Sequence, residues 1–220
     1  MTLQLFGHPF SSYTQKALIG LYETGAAFEQ RVLSPEDPGT AAEFAQRSPL
    51  GKFPVLVDGD RVLLESSIII EHLALHYPGG SSLIPKQPDA AIEVRMLDRY
   101  FDNYVMTPVQ KIVSDRLRAD DGARDPHGVR DARAMLNGAY AWLDRELATR
   151  AWAAGNEFGM ADCAAGPALF YADWVHEIAV GFASLRAYRQ RLLARPSFAR
   201  AIDDARRYRP LFPGGAPDRD

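Results

Sequence analysis

Three chemical groups that together suit a peptide ligand lie in one short stretch of the chain. Pro54 opens an apolar run, and a cis X-Pro bond costs little, so the backbone of Val55 could be turned outward to pair with an extended peptide. Glu65 supplies a carboxylate that suits an ammonium group. Ser66 opens a helix whose free N–H groups and positive dipole end suit a carboxylate. A ligand with an amino-acid head and a peptide body would use all three.

The same stretch predicts the elements that position these groups. Residues 53–57 read as a short strand that begins at Pro54, because proline cannot donate a ladder hydrogen bond. Residues 58–60, with the sequence Asp-Gly-Asp, indicate a tight turn, and residues 61–64 return as a second strand. Ser66 is predicted to be the N-cap of the apolar helix that follows.

The pattern S-P-x-G-K-x-P-V-L at residues 48–56, followed by E-S at the head of an apolar helix, resembles the cytosolic glutathione transferases. It is similar to their glutathione-binding half, a thioredoxin-like domain, and the resemblance extends over essentially the whole chain. The resemblance implies that glutathione is the co-substrate. It also implies that glutathione is bound by five residues: Lys52, Phe53, Val55, Glu65 and Ser66.

Each of these residues has an implied role. By resemblance, Val55 pairs through its backbone with the cysteinyl part of glutathione, and Pro54 is a structural residue beside it. Glu65 and Ser66 would hold the γ-glutamyl end. Lys52 would lie near the glycyl carboxylate.

The resemblance also implies an activating hydroxyl in the loop between the first strand and the first helix. Counting back from the glycine that closes this helix, as in the zeta, phi and tau classes, places that hydroxyl at Ser11. A free thiol has a pKa of roughly 8.5, and only the thiolate is nucleophilic. A hydrogen bond to sulfur beside the positive end of a helix stabilises the anion. Ser12 is expected to be a helix cap, and Tyr13 is the alternative donor to the sulfur.

The implied activity is attack of the glutathione thiolate on a small hydrophobic electrophile, by substitution or addition, in a homodimer. Two alternatives stay open. One is a glutathione-dependent isomerase, dehalogenase or disulfide reductase, because one thiolate site serves all of these reactions. The other is a non-catalytic adaptor or ligand carrier on the same fold.

The chain predicts an α/β domain followed by an all-α domain. In residues 1–78 the order strand, helix, strand, helix, strand, strand, helix predicts a mixed four-stranded sheet with helices on its faces. Residues 79–88 are rich in proline, glycine and serine and indicate a linker. Residues 89–220 carry helical patterns, and by resemblance they form the substrate-binding domain. A kink is expected at Pro108.

Four features of the chain bear on the electrophile site and the helical domain. Phe10 and Tyr104 are predicted to form the edge of the electrophile site, because in the resembling fold the helix of Tyr104 faces the cleft above the thiol. Asp162 is expected to be structural, since it can bond back to the loop around Gly159, where the family usually carries a Ser or Thr cap. The tail, residues 206–220, is predicted either to lie over the cleft or to be disordered.

Composition argues against several other functions. Twenty-five basic and 28 acidic side chains leave a formal charge of −3, so no global field attracts nucleic acid or an anionic membrane. No apolar run is long enough to span a bilayer. The one cysteine, Cys163, excludes an internal disulfide and favours a reducing, cytoplasmic location. It lies in an apolar helical pattern, where we expect a buried side chain. The five histidines lack metal-site spacing, so no metal is expected.

Overall fold

A computed structural model of the chain describes residues 2–77, 79 and 82–220. Within the described residues, the first half contains four strands and three helices. They are β1 (Leu3–Gly7), α1 (Ser12–Thr24), β2 (Phe28–Val32), α2 (Pro38–Arg47), β3 (Val55–Asp58), β4 (Arg61–Leu64) and α3 (Ser66–His76).

The strands form one mixed sheet in the order β2-β1-β3-β4. Strand β1 is parallel to β2 and antiparallel to β3, and β3 is antiparallel to β4. This confirms the predicted four-stranded sheet. Across the sheet, Val55 faces Phe6 on β1 and Leu64 on β4. The carboxyl ends of β1 and β4 therefore meet the start of β3 at one end of the sheet.

In the described residues of the second half, the regular elements are all helices, apart from an isolated bridge between Trp152 and Gly155. Its elements are α4 (Pro88–Tyr100), a π-helical segment (Phe101–Met106), α5 (Thr107–Arg116), α6 (Pro126–Glu146), α7 (Met160–Val175), α8 (Ala183–Leu193) and α9 (Pro196–Ala205), with short 3₁₀ turns, the last at Arg206–Leu211. The predicted all-α half is thereby confirmed.

The connection between the halves runs from the end of α3 at His76 to the start of α4 at Pro88. The predicted linker, 79–88, includes Gly80 and Ser81, which lie outside the described residues, as does Pro78. Leu83 in this connection is fully buried, and its carbonyl accepts the N–H of Met160 at 2.8 Å. The domain boundaries at 78 and 88 stay a prediction.

The interruption expected at Pro108 takes a different form from a kink at that residue. The chain forms a π-helical segment just before it, in which the Thr107 N–H bonds to the carbonyl of Asp102, five residues back. Pro108 then lies in the first turn of α5, directly after the π-helical segment.

The core of the helical half is built around α7, in which every residue is buried. Ile19 of α1 and Ile70 of α3 belong to the same apolar cluster, so the two halves share a core. Two large apolar residues at the start of the helical half point outward: Ile92 is more than half exposed and Tyr104 is about half exposed. No helix among the described residues is long and apolar enough to cross a membrane.

Candidate functional site

The loop after β1 presents the Ser11 hydroxyl at the start of α1. Ser11 is the N-cap residue, and its N–H donates to the His8 carbonyl at 2.9 Å. Its Oγ accepts the N–H of Thr14 at 3.4 Å, a long hydrogen bond that leaves the hydroxyl proton to be donated elsewhere. The expectation that Ser12 caps this helix is wrong. Ser12 is the first helical residue, because the chain enters α1 one residue earlier than expected.

Tyr13, the alternative donor, lies among carboxylates. Burial raises the pKa of its phenol to about 12, and the charges of Asp102 and Glu65 add to the rise while Arg99 opposes it. The phenol therefore stays protonated at neutral pH and is able to donate. The same carboxylates would repel a thiolate formed beside it.

Helix α3 begins at Ser66, and its cap residue is Glu65 rather than the predicted Ser66. Glu65 adopts φ 70° and ψ 119°, and among the described residues it is the only non-glycine residue with a positive φ. Such a backbone is sparsely populated for residues with a Cβ and is found preferentially at ligand sites. The Glu65 side chain is exposed and makes no capping bond, while Ser66 is buried with its N–H at the helix start.

The Phe53–Pro54 peptide bond is cis. Val55, which follows it, has a cross-strand partner on each side, Phe6 and Leu64, so its backbone belongs to the sheet. Phe53 precedes β3 and is 37% exposed. Val55 is predicted to pair with the cysteinyl part of glutathione, but it is Phe53, one residue before Pro54, whose backbone lies outside the ladder.

The loop before Phe53 is held by a side chain. The Ser48 hydroxyl donates to the Lys52 carbonyl at 2.8 Å, and the Gly51 N–H donates to the Ser48 carbonyl at 3.1 Å. Gly51 has φ 62°, a left-handed conformation that favours glycine. The Lys52 side chain is exposed at the end of this turn.

Between the two halves lies a buried ionic cluster made of Lys16, Ser67, Asp98, Arg99 and Asp102, hereafter the Lys16 cluster. Lys16 Nζ lies 2.7 Å from Asp98 Oδ1, 2.7 Å from Asp102 Oδ2 and 2.8 Å from Ser67 Oγ. Lys16 and Asp98 are essentially inaccessible to solvent. Arg99 contacts Ser67, Asp98 and Asp102 from the solvent side. The cluster ties α1 to α3 and α4 beside Tyr13.

The predicted electrophile-site residues Phe10 and Tyr104 fall in two separate aromatic groups. Phe10 packs against Tyr171, with ring centroids 5.6 Å apart, and against Phe212 at 6.4 Å. Tyr104 packs against Tyr100 at 5.0 Å. Among the described residues, no ring contact links the two groups. Ring contacts therefore give no support to the prediction that Phe10 and Tyr104 form the edge of one pocket.

The tail packs against α7 and is not free in solvent, whereas its position over the cleft stays a prediction. Phe212 is buried against Trp174 of α7, with ring centroids 5.0 Å apart. Arg219, near the end of the tail, donates to the carboxylate of Asp173 at 3.2 Å and to its backbone carbonyl at 3.0 Å.

A groove of about 640 Å³ lies away from these residues, along the outer edge of β2. Its walls carry both charges, including Glu29, Arg31 and Arg207. Arg31 is already engaged by Thr40 at 3.0 Å and by Glu43 at 3.2 Å. None of the predicted glutathione-binding residues lines the groove, so we place the candidate site where the β1, β3 and β4 ends meet.

Comparison with known families gives two matches to this chain. Residues 5–81 match the family model of the glutathione S-transferase N-terminal domain, and residues 116–191 match that of the C-terminal domain. The chain belongs to the glutathione S-transferase family. Its sheet half is accordingly a thioredoxin-like domain, and its helical half is the C-terminal domain of that family.

Individual relatives of this glutathione S-transferase family member share about a quarter to a third of its residues. It is 26% identical over 204 residues to glutathione S-transferase GstB of Escherichia coli K12, covering 91% of this chain and 97% of that one. It is 28% identical to FtsZ-localized protein A of Caulobacter vibrioides, covering 80% and 78%. A glutathione S-transferase structure from Methylobacterium radiotolerans, in complex with glutathione sulfonate, is similar with a TM-score of 0.78 and 30% identity, covering 92% and 95%.

In this member of the glutathione S-transferase family, the buried Asp162 carboxylate accepts hydrogen bonds from the protein itself. Its carboxylate accepts the N–H groups of Ala153 and Gly159, each at 2.9 Å, and the hydroxyl of Tyr188 at 2.5 Å. The neighbouring Cys163 is fully buried, and burial raises the pKa of its thiol. Among the described residues, no group of three or more His, Cys, Asp or Glu side chains could hold a metal ion.

The Lys16 cluster is the feature of this site that the sequence analysis missed. Two signals were available: Lys16 interrupts the apolar side of α1, and Asp98 and Asp102 are spaced i, i+4 on one helix face. Neither signal identifies the partner, because the two helices are more than 80 residues apart in the chain. Pairing across that distance is decided by the docking of the halves.

Proposed function

We propose that this protein is a glutathione transferase that conjugates the thiolate of glutathione to small hydrophobic electrophiles, with Ser11 stabilising the thiolate. The observation that carries the proposal is the strand register in which Phe6, Val55 and Leu64 face one another. Because of that register, the Ser11 loop, the cis-Pro54 turn and the start of α3 all lie at one end of the sheet.

The groups at this end of the sheet suit the three parts of glutathione. Glu65 would accept the γ-glutamyl ammonium, and the N–H groups at the start of α3, beginning with Ser66, would bind the adjacent carboxylate. The backbone at Phe53, with Val55 behind it, would pair with the cysteinyl residue. Lys52 would lie near the glycyl carboxylate. The strained backbone of Glu65 supports a ligand role for this corner.

The chemistry then needs no general base. The glutathione thiol loses its proton to solvent, and the Ser11 O–H donates a hydrogen bond to the sulfur anion at the positive end of α1. In substitution, sulfur forms a bond to carbon and the leaving group departs with its bonding pair. In addition, sulfur bonds to an activated double bond and the resulting carbanion takes a proton from water. Product analysis with a halogenated, a maleyl and a mixed-disulfide substrate would separate transfer from dehalogenation, isomerisation and disulfide reduction.

Ser11 is favoured over Tyr13 by electrostatics. The Ser11 hydroxyl is hydrogen-bonded to the N–H of Thr14, whereas the phenol of Tyr13 is influenced by the carboxylates of Asp98, Asp102 and Glu65. A phenol whose pKa is raised to about 12 is also a weaker acid and thus a weaker donor to an anion.

Replacing Ser11 by alanine should raise the pKa of bound glutathione by about one to two units, the worth of a hydrogen bond to a charged group. The titration is followed by thiolate absorbance as a function of pH. Ser12→Ala is the matched control, because it removes a hydroxyl one residue away, and Tyr13→Phe tests the alternative donor. An unchanged midpoint in Ser11→Ala, with a raised one in Tyr13→Phe, would assign the role to Tyr13.

We also propose that the protein is a homodimer whose subunits meet through an exposed apolar face on β4, α3 and α4, hereafter the α3–α4 face. Its six residues are between 39% and 73% exposed: Val62, Leu64, Ile68, Leu75, Ile92 and Met96. Glu71 of α3 and Arg95 of α4 form a bidentate ion pair, which holds the two helices side by side. Apolar patches of this kind mark interaction sites.

A single charge on the α3–α4 face should convert the dimer to a monomer. We expect Met96→Glu and Leu75→Glu to sediment as 24.4 kDa monomers at concentrations where the parent protein is dimeric. Val180→Glu is the matched control, since Val180 is more exposed still but lies on the loop before α8. Monomeric parent protein, or a dimer retained by both variants, would contradict the proposal.

The relationship to FtsZ-localized protein A favours one second candidate, a protein-binding adaptor on the same fold. The name of that relative states a location and not a reaction, and it covers four-fifths of this chain. Saturable glutathione binding with no turnover of any electrophile would favour the adaptor. If calorimetry shows no glutathione binding at millimolar concentration, the transferase proposal is contradicted and the adaptor proposal is not.

A further inference from the structure

Strand β2 has an unpaired outer edge. It is the first strand in the order β2-β1-β3-β4, so among the described residues only β1 pairs with it. The Leu33 N–H donates to the Gly7 carbonyl of β1 at 3.1 Å, and the direction of the backbone groups alternates along a strand. The N–H and C=O groups of Gln30 and Val32 therefore point away from β1. Each of these two residues presents a donor and an acceptor to a further strand.

Two features that commonly prevent pairing at such an edge are missing from β2. Its sequence, Phe-Glu-Gln-Arg-Val, contains no proline. Its register with β1 is continuous from the pair Leu3–Phe28 to the pair Gly7–Val32, without a bulge. The backbone geometry of β2 is thus regular enough to continue the sheet.

The outer edge of β2 lies in the groove of about 640 Å³ described above, hereafter the β2 groove. Residues 29–32 line it from the strand, residues 34–40 contribute one wall, and Arg207 and Tyr208 of the tail contribute the other. Ligand sites have volumes of roughly 300–1,000 Å³, so the groove is large enough for a segment of a few residues. Because walls rise on both sides of the edge, they hinder the approach of a second folded sheet and admit a single extended segment.

The wall of the β2 groove next to α2 is acidic. Glu29, Glu36 and Asp37 line it. Arg31, the cation on this side, is shared between carboxylates, since its Nη2 lies 3.2 Å from Glu43 Oε1 and its Nε lies 3.7 Å from Glu29 Oε1. Every second side chain of an extended segment points to the same side. Basic residues at alternate positions of such a segment would therefore meet this acidic wall.

The opposite wall of the β2 groove is basic and lies toward α1. On that face of β2, Phe28 packs against Tyr22 of α1 with ring centroids 5.8 Å apart, and the Tyr22 hydroxyl donates to Asp204 just before the tail at 3.2 Å. The lining residues on this side are Arg207, which is exposed, and Tyr208. Small polar or acidic residues of an extended segment suit this wall.

We propose that the β2 groove binds an extended peptide segment of a partner protein, which adds to the sheet as a fifth strand. Backbone hydrogen bonds to Gln30 and Val32 supply affinity, and basic residues at every second position, facing Glu29 and Glu36, supply specificity. The groove contains neither Ser11 nor any predicted glutathione-binding residue, so this proposal does not depend on the transferase activity.

Fluorescence anisotropy with labelled hexapeptides tests the charge requirement. The probe is an acetylated and amidated Arg-Thr-Arg-Glu-Arg-Thr, and its control exchanges every Arg for Glu and the Glu for Arg. We expect saturable binding of the probe, with the charge-reversed peptide about tenfold weaker. The double variant Glu29→Lys, Glu36→Lys should invert this preference. Glu157→Lys with Glu177→Lys is the matched control, because it changes the net charge equally at exposed positions outside the groove.

N-methylated probes test strand addition separately from charge. Along an added strand only every second N–H points to β2, so of two probes methylated at neighbouring central residues, one should bind about tenfold more weakly than the other. Gln30→Pro removes an outward N–H and no bond to β1, so it should weaken binding of the probe by about fivefold. Circular dichroism confirms that this variant is folded.

The outcomes separate this proposal from its alternatives. Ser11→Ala should bind the probe as the parent protein does, with or without glutathione, so failure of the transferase proposal leaves this one intact. Absence of saturable binding of the probe up to millimolar concentration, or equal binding of the two methylated probes, would overturn it. So would sedimentation in which Gln30→Pro abolishes self-association of the protein, because the edge would then pair with a second copy of this chain.

Discussion

An Asp162→Ala variant should be less stable than the parent protein by about 4 kcal/mol of unfolding free energy, because three buried donors lose their acceptor at once. The donors are the N–H groups of Ala153 and Gly159 and the hydroxyl of Tyr188. Asp162 is 1% exposed, so water cannot replace it. Urea denaturation of parent and variant measures the difference.

A matched control for Asp162→Ala is Asp144→Ala, which removes the same side chain from a position with one backbone donor, the N–H of Leu185 at 2.9 Å. We expect it to cost about 1 kcal/mol, as for the loss of a single helix-terminal bond. Equal losses in the two variants would contradict the account, since they differ mainly in the number of donors left unpaired.

The effect of Asp162 should also depend on pH. Burial raises the pKa of its carboxyl to about 6, because desolvation outweighs the three donated hydrogen bonds. In the unfolded chain an aspartate titrates near about 3.9, so the folded state holds the proton more tightly. The stability contribution of Asp162 is then full below about pH 4 and is lost as the pH rises through about 6. The difference between parent and Asp162→Ala should therefore shrink from pH 4 to pH 8, and a growing difference would show that the pKa is lowered instead.

Replacing Lys16 by methionine should cost about 3 kcal/mol, because the fully buried carboxylate of Asp98 loses its buried cation. Lys16 Nζ is 2.7 Å from Asp98 Oδ1 and 2.7 Å from Asp102 Oδ2. Arg99 still pairs with both carboxylates, which keeps the loss at the low end for a broken buried pair. Thermal and urea denaturation give the change, and circular dichroism confirms that the variant is folded.

The control for Lys16→Met is Arg95→Ala, which breaks the bidentate but exposed pair with Glu71 and should cost no more than about 1 kcal/mol. Adding Asp98→Asn to Lys16→Met should recover part of the lost stability, because no charge is then left without its partner. A double variant less stable than Lys16→Met alone would show that the cost lies in packing and not in charge.

The sequence alone predicted the sheet half well because its signals are local. Pro54, the Asp-Gly-Asp turn at residues 58–60 and the apolar run after Ser66 each specify a neighbouring strand or helix, and all three elements are present. The family resemblance rested on the same stretch. The helix starts were less certain: Ser11 and not Ser12 caps α1, and Glu65 and not Ser66 precedes α3. Cap positions shift by a residue because several neighbouring polar residues can serve.

The sequence by itself determined the order of elements, the two-part architecture and the set of polar groups at the end of β1, β3 and β4. Hydrophobic periodicity and turn residues encode these features, because both signals involve residues only a few positions apart in the chain. Only the tertiary structure decided that Val55 is held in the sheet, that Lys16 is buried against Asp98 and Asp102, and that the tail places Phe212 over Phe10. Each of these contacts joins residues far apart in the chain. No local pattern encodes such a pair, because it forms only when packed faces bring the two segments together.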